Sequence, residues 1–517
     1  VRAWLKTLSL AFEADLRSLA LARIGLGLVL LGDLSIRSLA LRAHYTDFGV
    51  LPRENIGLSL NKWRICLHLV TGSTPGEAVL FLLAALSALA LLLGYRTRLA
   101  TVVCWVLTFS LQNRNPMVLT GGDTVLRCLL FWGCFMPLGA RWSLDRRLRS
   151  PTGSEDGKLA AKTVVGAGVA AWMFQVFLVH FFAGALKTGA EWRSDFTALY
   201  YALQIDQLQL PMGALLLKLP LSVLKAMTAS IMVAEMVFPF LLFPVLFGLE
   251  RWRHGIRLAV VLALMSFHLG LIFTLRLGIF PWVNLVSLAV FLPPLVWDRL
   301  PRFERLFQDL TEGLAGRLRG GWLERWAGSP AAALRLPWWQ TVTVVAFMVL
   351  VLTWNLDTLP RSPVSVPRKL QPVVYALRLD QRWNLFAPRP YTSDGWWVIP
   401  GKLRNGEWVD LYRHGRPIGY EKPADVSAEY PTYRWRKYLR NLYRGHNKTH
   451  RTLYETWVCR EWNRRHPPEE QAVELRLIYM EEQTPPPGTP TQVAPKALGT
   501  LQCPEDTLGP ASVRDGK

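Results

Sequence analysis

The sequence predicts a polytopic α-helical membrane protein of about nine spans, N-terminus inside, followed by a C-terminal α+β domain on the outer face. Three observations carry this reading. Hydrophobic residues make up 51% of the 517 and gather into several runs of roughly 20, the length that crosses a bilayer. Arginines cluster in the short segments between those runs, so the formal charge of +21 reads as the positive-inside bias of cytoplasmic loops, not as a nucleic-acid footprint. After Leu356 the apolar runs stop and the chain turns polar and proline-rich, which marks a separate domain.

In chain order, residues 1–17 are amphipathic and lack the small-residue cleavage pattern of a signal peptide, so the first span is expected to stay as an anchor. The membrane domain then covers 18–355. Span one, 18–41, contains Arg23, Asp33 and Arg37; Asp33 and Arg37 lie one turn apart, which fits a structural ion pair or a substrate site. Spans two and three, 77–93 and 99–111, are joined by a turn holding Arg96 and Arg98. Next come Asn113, Arg114 and Asn115, then Gly121, Gly122, Asp123 and Arg127. Polar backbone at this depth either lines a covered cavity, where these side chains bind substrate, or forms an outer loop whose Asp123 caps span four.

Span four ends near Leu138, and Arg141, Arg146, Arg147, Arg149, Lys158 and Lys162 then form the strongest cytoplasmic signal in the chain. Span five, 163–185, travels outward. The run 210–219 reads as an interfacial helix, and span six, 221–247, carries Glu235, a further substrate-binding candidate. Span seven, 258–275, carries His268, and span eight ends near Val296. The arginine-rich loop 298–335 is expected to form amphipathic helices on the cytoplasmic face before span nine at 338–354.

The exported domain is expected over 356–482. Trp396–Ile399 and Trp408–Tyr412 flank Asn405-Gly406, a hairpin signal; 433–443 and 452–463 have helical spacing, and 472–479 alternates like a strand. Residues 483–517 read as a disordered Pro/Gly tail. Cys459 and Cys503 both fall on the exported side, where oxidation is permitted, and their pairing is left open. With no CxxC pair, zinc-ligand cluster or Gly-rich phosphate loop, neither a metal nor a nucleotide is expected.

The chemistry is expected near the outer end of span five. There His180, Gly184 and Lys187 stand at i, i+4 and i+7, one face of an otherwise apolar helix. Lysine at this boundary is either an interfacial anchor beside Trp192 or a desolvated amine able to act as a base. His180 and His268 are either core histidines bonded to a polar neighbour or members of the same site. The topology puts all these groups on one side of the membrane.

Three stretches resemble a known family: Phe-Phe-Ala-Gly-Ala-Leu-Lys-Thr-Gly-Ala-Glu-Trp at 181–192, Phe267-His268 followed by Gly278-Ile279-Phe280-Pro281, and Trp383-Asn384-Leu385-Phe386-Ala387-Pro388. They look like the HTTM family, which includes vitamin K-dependent γ-glutamyl carboxylase and many bacterial membrane proteins, and the resemblance covers most of 17–480. It implies that Lys187 takes the place of the lysine tied to deprotonation and oxygenation of reduced vitamin K, and that His268 matches the histidine of the Phe-His stretch. Where the carboxylase has an Asn-His-containing stretch before its fourth span, this chain has Asn113-Arg114-Asn115. The Gly121-Gly122-Asp123 and Arg127 pattern is similar to the broader bacterial group.

The resulting expectation is a carboxylase-like, lyase-type enzyme of a bacterial inner membrane. It would use a reduced quinone, with Lys187 as base and His180 or His268 in support. Arg114 or Arg127 would hold a carboxylate or bicarbonate-derived anion, and a secreted peptide or protein would be the partner beside membrane lipid. The alternatives are a non-carboxylating factor for maturation or export of a secreted peptide, and a lipid or small-molecule binding protein.

Overall fold

The computed structural model describes residues 2–58, 60–149, 162–328, 336–445 and 448–508. Lys158 and Arg335 of the basic loops, and the end of the tail beyond Leu508, lie outside the described residues.

An amphipathic helix α1 (Arg2–Ala11) leads to a two-residue strand β1 (Ala14–Asp15) and to α2 (Leu16–Ser38), whose first turn is capped by the Asp15 carboxylate accepting the Arg17 N–H at 2.8 Å. There follow α3 (Thr74–Leu93), α4 (Thr97–Arg114), α5 (Gly121–Gly133), strand β2 (Thr163–Val164), α6 (Ala167–Ala185), α7 (Pro211–Leu216), α8 (Leu221–Met236), α9 (Arg253–Thr274), α10 (Phe280–Ala289), α11 (Pro301–Leu318) and α12 (Trp338–Asp357). Each expected span thus contains a helix. Among the described residues five are long and apolar enough to cross a membrane: Leu16–Ser38, Thr74–Leu93, Ala167–Ala185, Glu250–Thr274 and Trp338–Asp357. The other four are shorter or more polar. Pro239 and Pro244 interrupt the expected span six after Met236, because proline removes a helical donor and clashes with the preceding turn. Residues 163 and 164, expected to begin span five, instead pair antiparallel with β1.

α3 runs between two matched signals: Ser73 caps it by accepting the Gly76 N–H, and Gly94 ends it at φ +69°, a left-handed geometry that costs glycine little. α3 and α12 expose apolar stripes that include Leu82, Leu86, Val345 and Val349, a surface suited to lipid. The amphipathic loop helix appears as α11, whose Phe307 stacks on Trp142. Charges within span one are paired inward. Arg23 donates to the Leu138 and Arg141 carbonyls at 3.2 Å, and Arg37 meets Asp33 at 2.8 Å, the structural ion pair.

The C-terminal domain comprises β3 (Ser393–Val398), β4 (Pro400–Leu403), β5 (Trp408–Asp410), α13 (Tyr433–Arg444), α14 (Lys448–Asn463), β6 (Ala472–Gln483) and β7 (Gln492–Gln502) in one antiparallel sheet with two helices. Two sequence expectations change. The hairpin at Asn405-Gly406 joins β4 to β5, while Trp396 and Trp397 pair with β6 in register with Met480 and Tyr479. The tail is not disordered over Gln492–Gln502: β7 pairs along almost the whole length of β6, and Cys503 forms a disulfide with Cys459 of α14. A polar, Pro-containing strand is stable there because the long β6 offers a complete ladder and Pro495 sits on the outermost strand.

α13 joins the two parts. Arg434 forms ion pairs with Asp33 and, at 2.7 Å, with Asp123, and the Tyr433 hydroxyl donates to Asp33 at 3.0 Å. Arg37 also reaches Asp123, so two carboxylates and two guanidinium groups close a buried network. Gly278, at φ +67°, lets the chain turn beneath Tyr433, whose ring would lie 2.4 Å from any added Cβ.

Candidate functional site

A cavity of about 420 Å³ lies between α6, α8, α9 and α10 and is also lined by residues of α13. Its apolar lining includes Val179, Ala183, Ile231, Leu271, Phe280 and Phe386. Inside are Lys187, Glu235, His180 and His268.

Lys187 follows the last turn of α6, its N–H bonded to the Gly184 carbonyl at 3.1 Å. The residue is only 2% exposed, so it is not an anchor in solvent, although its ammonium stands 4.7 Å from the Trp192 ring. It forms an ion pair with Glu235 of α8. Gly184 makes that contact sterically accessible: a Cβ there would lie 2.8 Å from Met236 Sδ and 3.0 Å from Glu235 Cβ. Glu235, expected to contact substrate, is therefore the partner of Lys187.

The two histidines meet across α6 and α9, Nε2 to Nε2 at 3.2 Å. His180 Nδ1 lies 2.9 Å from the Val176 carbonyl, which requires a proton on that nitrogen. In the neutral pair His268 Nε2–H then donates to His180 Nε2, leaving His268 Nδ1 as a buried acceptor with no hydrogen-bond partner among the described residues. Both are buried, and the polar neighbour each was expected to find is the other.

The family-like stretches converge here. Trp192 Nε1–H donates to the Phe386 carbonyl at 2.9 Å and the Gly189 N–H to that of Pro388 at 2.9 Å, while Leu385 and Phe280 pack against Gly121 and Gly122. The remaining candidates do not face the cavity. Asn113 donates to the Ile65 carbonyl, Arg114 to that of Leu51 at 2.7 Å, and Asn115 to that of His44 at 3.1 Å. Asp123 caps α5 through Thr120, the alternative reading of that residue, and belongs to the Arg37–Arg434 network. Arg127 is bound to the Arg378 carbonyl at 2.9 Å and lines a separate polar cavity with Asp380.

In place of Arg114 and Arg127, the cations at this cavity are Arg382 and, from α13, Arg436, Lys437 and Arg440. The signal for them was present: residues 433–444 hold five Arg or Lys and no acid, and 436 and 440 are one helical turn apart. What hid them was their place in a domain expected to act as a separate body.

No curated protein and no solved structure matches the chain. A family model, the HTTM domain, matches residues 13–297, more than half of the chain and including Lys187, Glu235, His180 and His268. With its apolar helices and this match, the chain belongs to the HTTM-domain family, whose domain is found in vitamin K-dependent carboxylase-related membrane proteins.

Proposed function

We propose that this chain is a carboxylase-like membrane enzyme that adds a carboxyl group to glutamate in a secreted peptide, using a reduced quinone. In this reading it sits in a bacterial inner membrane with the C-terminal domain on the outer face. The observation that carries the reading is one cavity lined by both a buried lysine–carboxylate pair and a histidine pair with a vacant acceptor. A reduced quinone fits these residues: apolar walls suit its ring, and hydroxyl groups suit His268 Nδ1 and the Lys187–Glu235 pair. When bound, it would supply the reducing equivalents and chemical driving force for the reaction.

The chain's own residues have separable roles. Glu235 holds Lys187 in place and can take its proton, leaving a neutral amine in a site that excludes water. His268 accepts a proton at Nδ1, and the hydrogen bond to His180 fixes the tautomer that keeps this nitrogen free. The apolar walls keep water from competing for reactive groups.

Purified protein is incubated with reduced naphthoquinone, labelled bicarbonate and a Glu-containing peptide. The native chain transfers label; no transfer where a known carboxylase succeeds overturns the reading in favour of a non-carboxylating maturation factor or binding protein. Lys187→Ala loses transfer at least 100-fold, about 3 kcal/mol of barrier, but also leaves Glu235 unpaired, costing about 3–5 kcal/mol of stability. The double variant Lys187→Met/Glu235→Leu removes both charges, so it recovers the thermal midpoint while remaining inactive.

A further inference from the structure

The cations that α13 brings to the cavity form no ion pair among the described residues. Arg436 and Arg440 are 6% and 8% exposed, yet among the described residues neither forms a salt bridge. Arg436 donates to the Arg276 carbonyl at 3.4 Å and leaves its Nε without a partner; Arg440 lies 3.8 Å from the Tyr391 ring and leaves Nη2 without one. Lys437, between them in sequence, has neither a hydrogen bond nor an ion pair among the described residues. The nearby carboxyl of Asp394 accepts the Gln207 N–H at 2.9 Å and forms no ion pair with these cations.

Three cations on one helix, two of them buried and incompletely bonded, are expensive to assemble unless an anion completes them. Burial and the neighbouring guanidinium groups of Arg440 and Arg436 push the Lys437 ammonium down to about 8, consistent with uncompensated positive charge. The same cavity is also lined by Val179, Ala183, Ile231, Leu271 and Phe280.

We infer that Arg436, Lys437 and Arg440 form a binding site for the anionic head of an amphipathic ligand whose apolar body occupies the cavity. This goes beyond the proposed reaction and stands without it. A carboxylate and a phosphate monoester share the required chemistry, since guanidinium groups pair with either.

The test uses the full chain in phosphatidylcholine nanodiscs, without reductant or bicarbonate, titrated with dodecanoate, dodecyl phosphate, dodecanol, acetate and inorganic phosphate. At least one of the two amphipathic anions binds at least tenfold more tightly than dodecanol, and which one does so identifies the head group. That advantage falls at least tenfold in the Arg436→Gln/Arg440→Gln variant and at least threefold in Lys437→Gln, which removes no hydrogen bond and therefore tests the site without the same folding risk. Lys187→Met/Glu235→Leu keeps the advantage, so failure of turnover and failure of this site are distinguishable. Equal binding of dodecanol and both anions by the native chain, an advantage unchanged in Lys437→Gln, or binding of acetate or inorganic phosphate as tight as that of the amphiphiles overturns the inference.

Discussion

Asp394 shows how a single side chain reports the seam between the two parts of the molecule. Its Oδ2 accepts the Gln207 N–H, its Oδ1 has no partner, and burial pushes the carboxyl up to about 6 from an ordinary 3.8. The folded chain therefore holds this proton at pH values where the unfolded chain has released it. The associated stability is full below about pH 4 and is lost as pH rises through about 6. The thermal midpoint should be higher at pH 5 than at pH 7.5, with this residue contributing about 1 kcal/mol. Asp394→Asn, which keeps an acceptor for Gln207, should remove that share; an unchanged pH profile would show that the carboxyl titrates normally.

Among the elements, α6 and α8 decide whether the cavity exists. Gly184 is a point of close approach between them, so Gly184→Val should force α8 outward, separate Glu235 from Lys187, and destabilise by about 1–3 kcal/mol through overpacking. Thermal unfolding and label transfer together check this. A variant with native stability and activity would mean that α8 shifts freely. Periodicity made both helices legible from the sequence, and the prolines after Met236 explain why α8 is short. Periodicity does not reveal which residue of α8 faces Lys187, because that depends on a crossing set by Gly184. The β4–β5 hairpin was legible from Asn405-Gly406 in the same way, whereas β7 was not: its strand state depends on the ladder offered by β6.

At the scale of the whole molecule, the C-terminal domain is part of the membrane domain's site. Arg434 pairs with Asp33 of α2 and Asp123 of α5, and the same helix places Arg436 and Arg440 at the cavity. Arg434→Met should leave two buried carboxylates sharing Arg37 alone, at a cost of about 3–5 kcal/mol. Limited proteolysis should then cut the segment between α12 and β3 at least tenfold faster than in the native chain. Equal cleavage rates would show that the backbone contacts, such as Asn441 donating to the Met117 carbonyl at 2.7 Å, hold the domain without this network.

By itself the sequence determined the class of protein, the helical character of every expected span, the presence of a C-terminal domain with a sheet, and Lys187, His180 and His268 as ionisable groups in or next to apolar helices. These follow from local pattern: apolar runs, helical spacing and ionisable groups that are costly in an apolar setting. Tertiary structure decided the partners. It joined Lys187 to Glu235, His180 to His268, and Asp123 to Arg434, and it turned Asn113, Arg114 and Asn115 toward backbone carbonyls and away from the cavity. It also brought Arg436, Lys437 and Arg440 to a chamber built from helices some 150 to 260 residues earlier in the chain. The physical reason is that pairing between buried charges depends on distance in space, and composition or spacing along one helix carries no information about which distant segment will neutralise it.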